Sequence, residues 1–212
     1  MEVLSISDKV VDFIYSPTCK TEFSHVDFVI SCGDLPYYYV EYVLDSLGKE
    51  MFFVRGNHAS RVEYGKFGNR TGPRGAVDLH GRVVTYKGLA LAGVEGSIRY
   101  NRGDFQYTQA EMWSQIFRLV PHLLWNRLTL GKFLDIFISH APPRGIHDKP
   151  DRAHQGVNAY RWLLKTFKPR FHFHGHIHIY DTGEQTETRF EKTCVINTYG
   201  YRVTTIQAGS SA

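Results

Sequence analysis

The sequence predicts an α/β fold in which two β-sheets pack against each other and helices flank them. Three observations support this: short apolar segments typical of buried strands, helical segments between several of them, and two pairs of segments resembling antiparallel hairpins. At 212 residues the chain suits one domain with a sizeable core. No repeat or low-complexity linker interrupts the sequence, so we expect a single domain over residues 1–212.

Five apolar segments, rich in valine, isoleucine and phenylalanine, have the length of buried strands. In chain order they are residues 3–7, 26–32, 51–55, 134–139 and 171–174. Because helical segments separate several of them, we expect a largely parallel sheet. The two antiparallel pairs are residues 82–86 with 89–94, and residues 193–197 with 201–206.

Three segments show helical spacing or helix signals. Residues 36–47 place four apolar side chains at helical intervals. Thr108 is expected to begin a second helix, with Glu111 as its capping-box partner. Pro121 is expected to break or kink this helix. Residues 157–167 form the third predicted helix.

Composition narrows the classes of function. The net charge of +4 and the pI of about 8.9 mildly favour anionic ligands. A positive charge of this size does not by itself indicate nucleic acid binding. No apolar run is long enough to span a membrane, and no signal peptide is visible. Three scattered cysteines are typical of reduced thiols, so we expect a cytoplasmic protein. Residues 208–212 are expected to fray.

Polar side chains follow the five strands directly. In α/β sheets the carboxyl ends of strands form the crevice where ligands bind. Two carboxylates, one amide oxygen and four imidazoles are therefore expected at one rim: Asp8, Asp34, Asn57, His58, His140, His176 and His178. Such a set suits Mn, Fe, Zn or Ni rather than a thiolate-bound metal. Glycine precedes three of these groups, and we expect it to allow a sharp turn off each strand.

The ordered motifs resemble the calcineurin-like metallophosphoesterase superfamily. They are Asp8, Gly33-Asp34, Gly56-Asn57-His58, His140 and Gly175-His176-Ile177-His178. Any one is weak, but five in this order, covering most of the chain, are specific. The resemblance implies a two-sheet β-sandwich flanked by helices in α/β/β/α layers, a dinuclear metal site and phosphoester hydrolysis.

The resemblance also implies a role for each matching residue. Asp34 would bridge two divalent ions. The remaining ligands would be Asn57, His140 and His176 at the second ion, and Asp8 and His178 at the first. His58 would not bind metal but would stand beside the scissile phosphate and donate a proton or hydrogen bond. Since alternate residues of an extended segment share a face, positions 176 and 178 can serve both ions.

One position departs from the family pattern. The family's first motif is Asp-any-His, whereas this chain has Asp8-Lys9-Val10, and valine cannot coordinate a metal. We therefore hypothesise a weak or exchangeable first metal and a firmer second one. His25 is the nearest histidine in sequence, with no sign that it lies near in space.

Several residues also have simpler interpretations. Asp8 and Asp34 can act as helix caps, Asn57 as a turn residue and His140 as an ordinary loop residue. The alternating pair His172 and His174, together with His147, is expected to be structural.

Three side chains are candidates for substrate binding: Arg55, Arg144 and His154. Residues 55–75 carry five cations among five glycines, and form either a lid whose cations meet a substrate phosphate or a solvated basic loop.

The favoured function is a metal-dependent phosphoric ester hydrolase. We expect a phosphodiesterase, or a phosphatase acting on monoesters, whose substrate is a small soluble phosphorylated molecule attacked by a metal-activated hydroxide. The cofactor would be one or two divalent ions, with manganese, iron, zinc or nickel all open. A nuclease on the same fold is one alternative, though nucleic acid is not favoured. A degenerate, non-catalytic interaction module is another, supported only by Val10.

Overall fold

The computed structural model describes residues 1–64, 68–181 and 183–207. The predicted frayed tail, residues 208–212, and Lys66 of the basic segment lie outside the described residues. Among the described helices, none is both long and apolar enough to cross a bilayer.

Thirteen strands and four helices are described in all. In chain order they are β1 (Glu2–Ser7), α1 (Thr18–Glu22), β2 (Phe28–Ser31), α2 (Tyr37–Leu47), β3 (Met51–Phe53), β4 (Val77–Asp78), β5 (Arg82–Tyr86), β6 (Leu89–Val94), β7 (Ser97–Ile98), β8 (Gln106–Tyr107), α3 (Gln109–Leu130), β9 (Ile136–Ser139), α4 (Asn158–Phe167), β10 (Phe171–His174), β11 (Glu187–Phe190), β12 (Thr193–Asn197) and β13 (Gly200–Thr205).

Two large sheets confirm the predicted fold class. One has the order β13-β1-β2-β3-β4 and the other β11-β12-β10-β9-β6-β5, while β7 and β8 form a small separate ladder. The inner strands of both large sheets pair in parallel. Three of the four edge strands, β13, β11 and β5, pair antiparallel with their neighbours. The predicted hairpin of β5 and β6 is confirmed.

The core lies in three layers. Buried residues of both sheets, including Phe28, Ile138 and Phe173, form the cluster between them. A second cluster packs α3 and α4 on the six-stranded sheet, and a third packs α1 and α2 on the five-stranded sheet. Full burial of each large apolar side chain contributes about 1.5–3 kcal/mol. Helices thus cover the outer face of each sheet.

The predicted hairpin of residues 193–197 with 201–206 is wrong. β12 stays in the six-stranded sheet, where β11, which the sequence did not indicate, occupies its outer side. β13 instead pairs with β1 in the other sheet. This pairing provides hydrogen-bond partners for the backbone N–H and C=O groups of β1, which would otherwise be an open edge. The chain crosses between the sheets at Thr198, whose hydroxyl donates to the Ser5 hydroxyl at 3.3 Å.

Pro121 does not break its helix. α3 runs unbroken from Gln109 to Leu130 and begins with the predicted capping box of Thr108 and Glu111. Proline removes one N–H, and so leaves the carbonyl of Phe117 without its helical partner. Both residues are exposed, so water can solvate that carbonyl and the helix continues.

Candidate metal centre

The carboxyl ends of β1, β2, β3, β9 and β10 deliver the predicted ligands to one rim of the molecule. Within the parts of the chain that the structure describes, one group of titratable side chains could hold a metal ion: Asp34, His140 and His176. Their ligand atoms all lie within 4.8 Å of one another. The structure therefore brings together residues that are far apart in sequence.

The candidate second site, predicted to contain Asp34, Asn57, His140 and His176, gathers beside Nε2 of His140. This histidine is completely buried. Three other atoms face it: Asp34 Oδ2 at 3.1 Å, Asn57 Oδ1 at 3.0 Å and His176 Nδ1 at 3.1 Å. A single proton on Nε2 can bond only one of these acceptors. A divalent cation can accept lone pairs from all four atoms, so the donor set fits a metal of the Mn, Fe, Zn or Ni type.

Each imidazole of this site is oriented by a hydrogen bond from the ring nitrogen that faces away from the site. His140 Nδ1 donates to the Cys32 carbonyl at 2.8 Å, and His176 Nε2 donates to the Ala153 carbonyl at 2.8 Å. A carbonyl can only accept, so the hydrogens lie on these nitrogens and the opposite lone pairs face the site. Such outer contacts orient metal-binding histidines and raise their basicity.

Tyr100 orients the amide of Asn57 in the same way. Asn57 Nδ2 donates to the Tyr100 hydroxyl at 3.0 Å, which leaves Oδ1 facing His140. Gln106 in turn accepts from the backbone N–H of Tyr100 at 3.1 Å. Sequence reasoning missed Tyr100, because it lies 43 residues from Asn57 and belongs to none of the motifs.

Electrostatics within the site shift the pKa values of His140 and His176 in opposite directions. Burial alone would lower the pKa of His140 and raise that of Asp34, but their mutual attraction outweighs burial. The pKa of His140 therefore rises to about 9, and that of Asp34 falls to about 2. Burial lowers the pKa of His176 to about 3. The protein thus holds His176 ready as a neutral ligand, whereas a cation must displace a proton from His140.

Asp8 and His178 form the remaining part of the candidate centre. Asp8 Oδ2 accepts from the backbone N–H of His176 at 2.9 Å. Its Oδ1 is buried with no hydrogen-bond partner among the described residues, and lies 3.8 Å from His178 Nε2. Burial raises the pKa of Asp8 above its ordinary value. An orphaned carboxylate oxygen facing an imidazole is consistent with a first metal site.

The first site has fewer protein groups than the second. Val10 packs against the apolar cluster beneath α1 and α2. His25 is exposed near Asp27, whose carboxylate accepts from the N–H of Glu2 at the opposite end of β1. It therefore cannot replace the missing family histidine.

Three ligands adopt a left-handed backbone conformation. The φ angles are 62° at Asp8, 53° at Asp34 and 67° at His176. Each such residue costs about 1–3 kcal/mol, and such strain clusters at functional sites. The prediction of an extended segment through positions 176 and 178 is therefore wrong, because the backbone turns at His176. Its side chain reaches His140, while that of His178 faces Asp8.

Two of the glycines are required by close approach rather than by backbone angle. A Cβ on Gly56 would lie 2.0 Å from Asp34 Oδ1, and one on Gly175 would lie 2.3 Å from Asp8 Oδ2. Of the three glycines that precede site residues, only Gly33 has a positive φ, 96°. The carboxylates therefore sit directly against neighbouring backbone.

The simpler interpretations of the aspartates fail. The residues preceding α1 and α2 are Pro17 and Pro36, and no side chain caps either helix. Asp34 instead accepts from the backbone N–H of His58 at 2.8 Å, which joins the two motif loops. The His58 residue itself is exposed beside this carboxylate.

His172 and His174 are structural, as predicted, although both are completely buried. His172 Nε2 lies 2.8 Å from the Ser139 hydroxyl. His174 Nε2 lies 2.9 Å from Nδ1 of His147. These contacts hold β10 to neighbouring segments rather than completing the metal centre.

Arg55 does not behave as a free substrate-binding cation. Its guanidinium bonds Asp78 at 2.6 Å, Glu95 at 3.0 Å and the Thr71 carbonyl at 2.8 Å. A substrate phosphate would have to displace these carboxylates, so we correct this expectation and assign Arg55 a structural role. Arg61 and Arg70 also pair with carboxylates, which, for the described part of residues 55–75, favours the basic loop over a lid.

The other two substrate candidates lie in the loop that follows His140. The His154 ring is 5.4 Å from that of His176, and its Nδ1 bonds Asp151 at 2.9 Å. Arg144 lies against Asp148 at 3.5 Å. His154 is therefore beside the second site, whereas Arg144 faces Asp148 within the loop.

The fold and the centre define a metallophosphoesterase, and comparison with known families agrees. The family model described as calcineurin-like phosphoesterase matches residues 8–180. The chain belongs to this family. Comparison with curated proteins gives no match.

Solved structures share the fold at low sequence identity. TT1561 of Thermus thermophilus is 15% identical with a TM-score of 0.59, covering 94% of this chain and 89% of that one. A hypothetical protein from the same organism is 15% identical with a TM-score of 0.53, covering 93% and 75%. GAP50, the anchor in the inner membrane complex of Plasmodium, is 14% identical with a TM-score of 0.50, covering 94% and 71%.

We predict that Tyr100→Phe weakens Mn²⁺ binding about 10–100-fold, because the Asn57 amide loses the partner that orients it. Calorimetric titration of metal-stripped protein measures the affinity. Tyr64→Phe, at a side chain that is 83% exposed, is the matched control. Equal affinities for the two variants, with unchanged melting temperatures, would contradict the role of Tyr100.

Proposed function

We propose that the protein is a metal-dependent phosphodiesterase acting on a small, soluble phosphorylated substrate. The observation that carries this proposal is the convergence of Asp34 Oδ2, Asn57 Oδ1 and His176 Nδ1 on His140 Nε2, all at 3.0–3.1 Å. Family membership supports phosphoester hydrolysis in general. The diester preference and the substrate size are our own inference.

Asp34, Asn57, His140 and His176 would hold the firmer ion, and Asp8 and His178 would contribute to a weaker one. When bound, such ions supply Lewis acidity and can lower the pKa of water from 15.7 to roughly 7. The chain's own contribution is to aim the four lone pairs, through contacts with Cys32, Ala153 and Tyr100.

His58 is proposed as the proton donor to the leaving oxygen. Its backbone N–H bonds Asp34 Oδ1, which anchors the loop, while the exposed residue leaves its imidazole free to meet a ligand. His154, beside His176 and held by Asp151, is proposed to contact the part of the substrate beyond the phosphate.

A panel of aryl phosphodiesters, aryl phosphomonoesters, DNA and RNA, each with Mn, Ni, Fe or Zn, tests the proposed activity. We expect the diester to be cleaved fastest, and His154→Ala to change the relative rates on small and large diesters. His140→Ala, which loses the central ligand, is the inactive control. Salt-sensitive cleavage of nucleic acid as the main activity would identify a nuclease instead.

We predict that His58→Ala lowers turnover by about 10²–10⁴-fold while retaining bound metal, because general acid catalysis is worth that much. Turnover and metal content are measured on the same preparation. His25→Ala, at an exposed histidine near the opposite end of β1, should behave like the natural sequence. Full activity of His58→Ala would exclude the proposed proton transfer.

We predict that protein purified without chelator holds less than two equivalents of tightly bound metal, since Val10 supplies no ligand to the first site. Val10→His should raise the metal content and increase activity at limiting Mn²⁺. Metal analysis after gel filtration measures the stoichiometry. Two full equivalents in the natural sequence would refute the weak-site hypothesis.

A non-catalytic role is the second candidate, and Val10 is the observation that favours it. GAP50, which has a similar fold, is described as an anchor, although at 14% identity this likeness concerns the fold alone. Tight metal binding with no hydrolysis of any ester in the panel would favour this role.

A further inference from the structure

The outer face of α3 exposes large apolar side chains. Four of them are Phe117 at 53%, Leu124 at 51%, Trp125 at 66% and Leu128 at 80%. Pro121 is also exposed and lies between them. We call these five residues the α3 stripe. Contiguous exposed apolar patches on a protein surface often mark sites of interaction with other molecules.

The stripe is one continuous face of a regular helix. Its members follow Phe117 at intervals of 4, 7, 8 and 11 residues, the spacing of a single helical face. Phe117 and Leu124 are seven residues apart, as are Pro121 and Leu128, which is the repeat of helix-to-helix seams. The stripe is about 17 Å long at 1.5 Å per residue.

The main attachment of α3 is made by a face other than the stripe. A different face of the helix, containing Met112, Ile116, Leu119 and Leu123, packs into the core and is completely buried. A surface helix needs only one apolar face for such packing, so the stripe remains available to a partner.

Neighbouring aromatic rings hold Phe117, at the N-terminal end of the stripe, in a fixed position. Phe117 stacks on Trp113 with ring centroids 5.4 Å apart, and meets Trp162 of α4 at 5.6 Å. Preorganised aromatic side chains are favoured as binding anchors because little side-chain entropy is lost on contact.

The charge around the stripe identifies the kind of partner. Arg118, His122 and Arg127 are exposed on the same helix. The sequence contains no aspartate or glutamate from residue 112 to residue 134. Two copies of this face would therefore bring cations against cations, which disfavours self-association. A complementary surface must combine apolar and acidic side chains.

We propose that the α3 stripe is a docking site for an amphipathic helix of another protein, whose apolar face is flanked by aspartate or glutamate. The seven-residue spacing provides a seam for a second helix, and Arg118 and Arg127 provide the charge. The site lies on the outer face of the six-stranded sheet and does not depend on the proposed hydrolysis.

Two synthetic helical peptides test the proposal. Both carry leucines at positions i, i+4, i+7 and i+11; one has glutamates and the other lysines beside them. Calorimetry with the full chain should show that the glutamate peptide binds at least about tenfold more tightly. Leu128→Ser and Arg118→Glu should each weaken binding of the glutamate peptide by about tenfold or more. Val203→Ser, at an exposed apolar residue on β13, should have no effect.

Each other outcome overturns the proposal. Equal binding of both peptides removes the charge argument, and binding of neither removes the docking site. Attachment to anionic vesicles, lost in Leu128→Ser, without peptide binding would indicate a membrane surface instead. Sedimentation showing a dimer that Leu128→Ser dissociates would mean that a second copy covers the stripe. Melting temperatures of the variants establish that they remain folded.

Discussion

Unfavourable electrostatics at one point organise the rest of the centre. Lone pairs of two imidazoles, a carboxylate and an amide oxygen face one another inside the protein, around His140. A proton on His140 offsets part of their repulsion through its attraction to Asp34, and neighbouring groups hold the remaining acceptors in place. Left-handed backbone at Asp34 and His176 and the missing side chain of Gly56 all serve this arrangement. The fold thus accepts strain in return for a cation-binding geometry.

The two halves of the centre differ in how completely they are built. The ligands of the second site each have an outer partner, whereas His178 is 44% exposed and Asp8 Oδ1 has no hydrogen-bond partner in the described chain. The imidazole of His178 is held instead at the surface, where its Nδ1 lies 3.0 Å from the Tyr180 hydroxyl. Val10 adds no ligand to this half, because it packs against the apolar cluster beneath α1 and α2.

The sequence located most of the strands and the polar side chains that the structure brings together, because both are local signals. A buried strand is a run of apolar residues, and its ligand follows at the next one or two positions. Tyr100 and Arg55 were not predicted correctly, since their roles depend on contacts with Asn57, Asp78 and Glu95 that no local pattern records. The crossing at Thr198 was missed for the same reason: a short connection between two apolar segments looks like a hairpin whichever sheet receives the second strand.

The pairing of β13 with β1 has a consequence for how the chain folds. Glu2 is opposite Thr205, so the outer edge of the first strand stays open until residues 200–205 have been synthesised and can pair with it. Contacts between such distant segments slow folding, because a large loop must close before they form. Asp8 directly follows β1, so the candidate metal centre takes its final shape only after these two distant segments have paired, and metal capture follows that pairing.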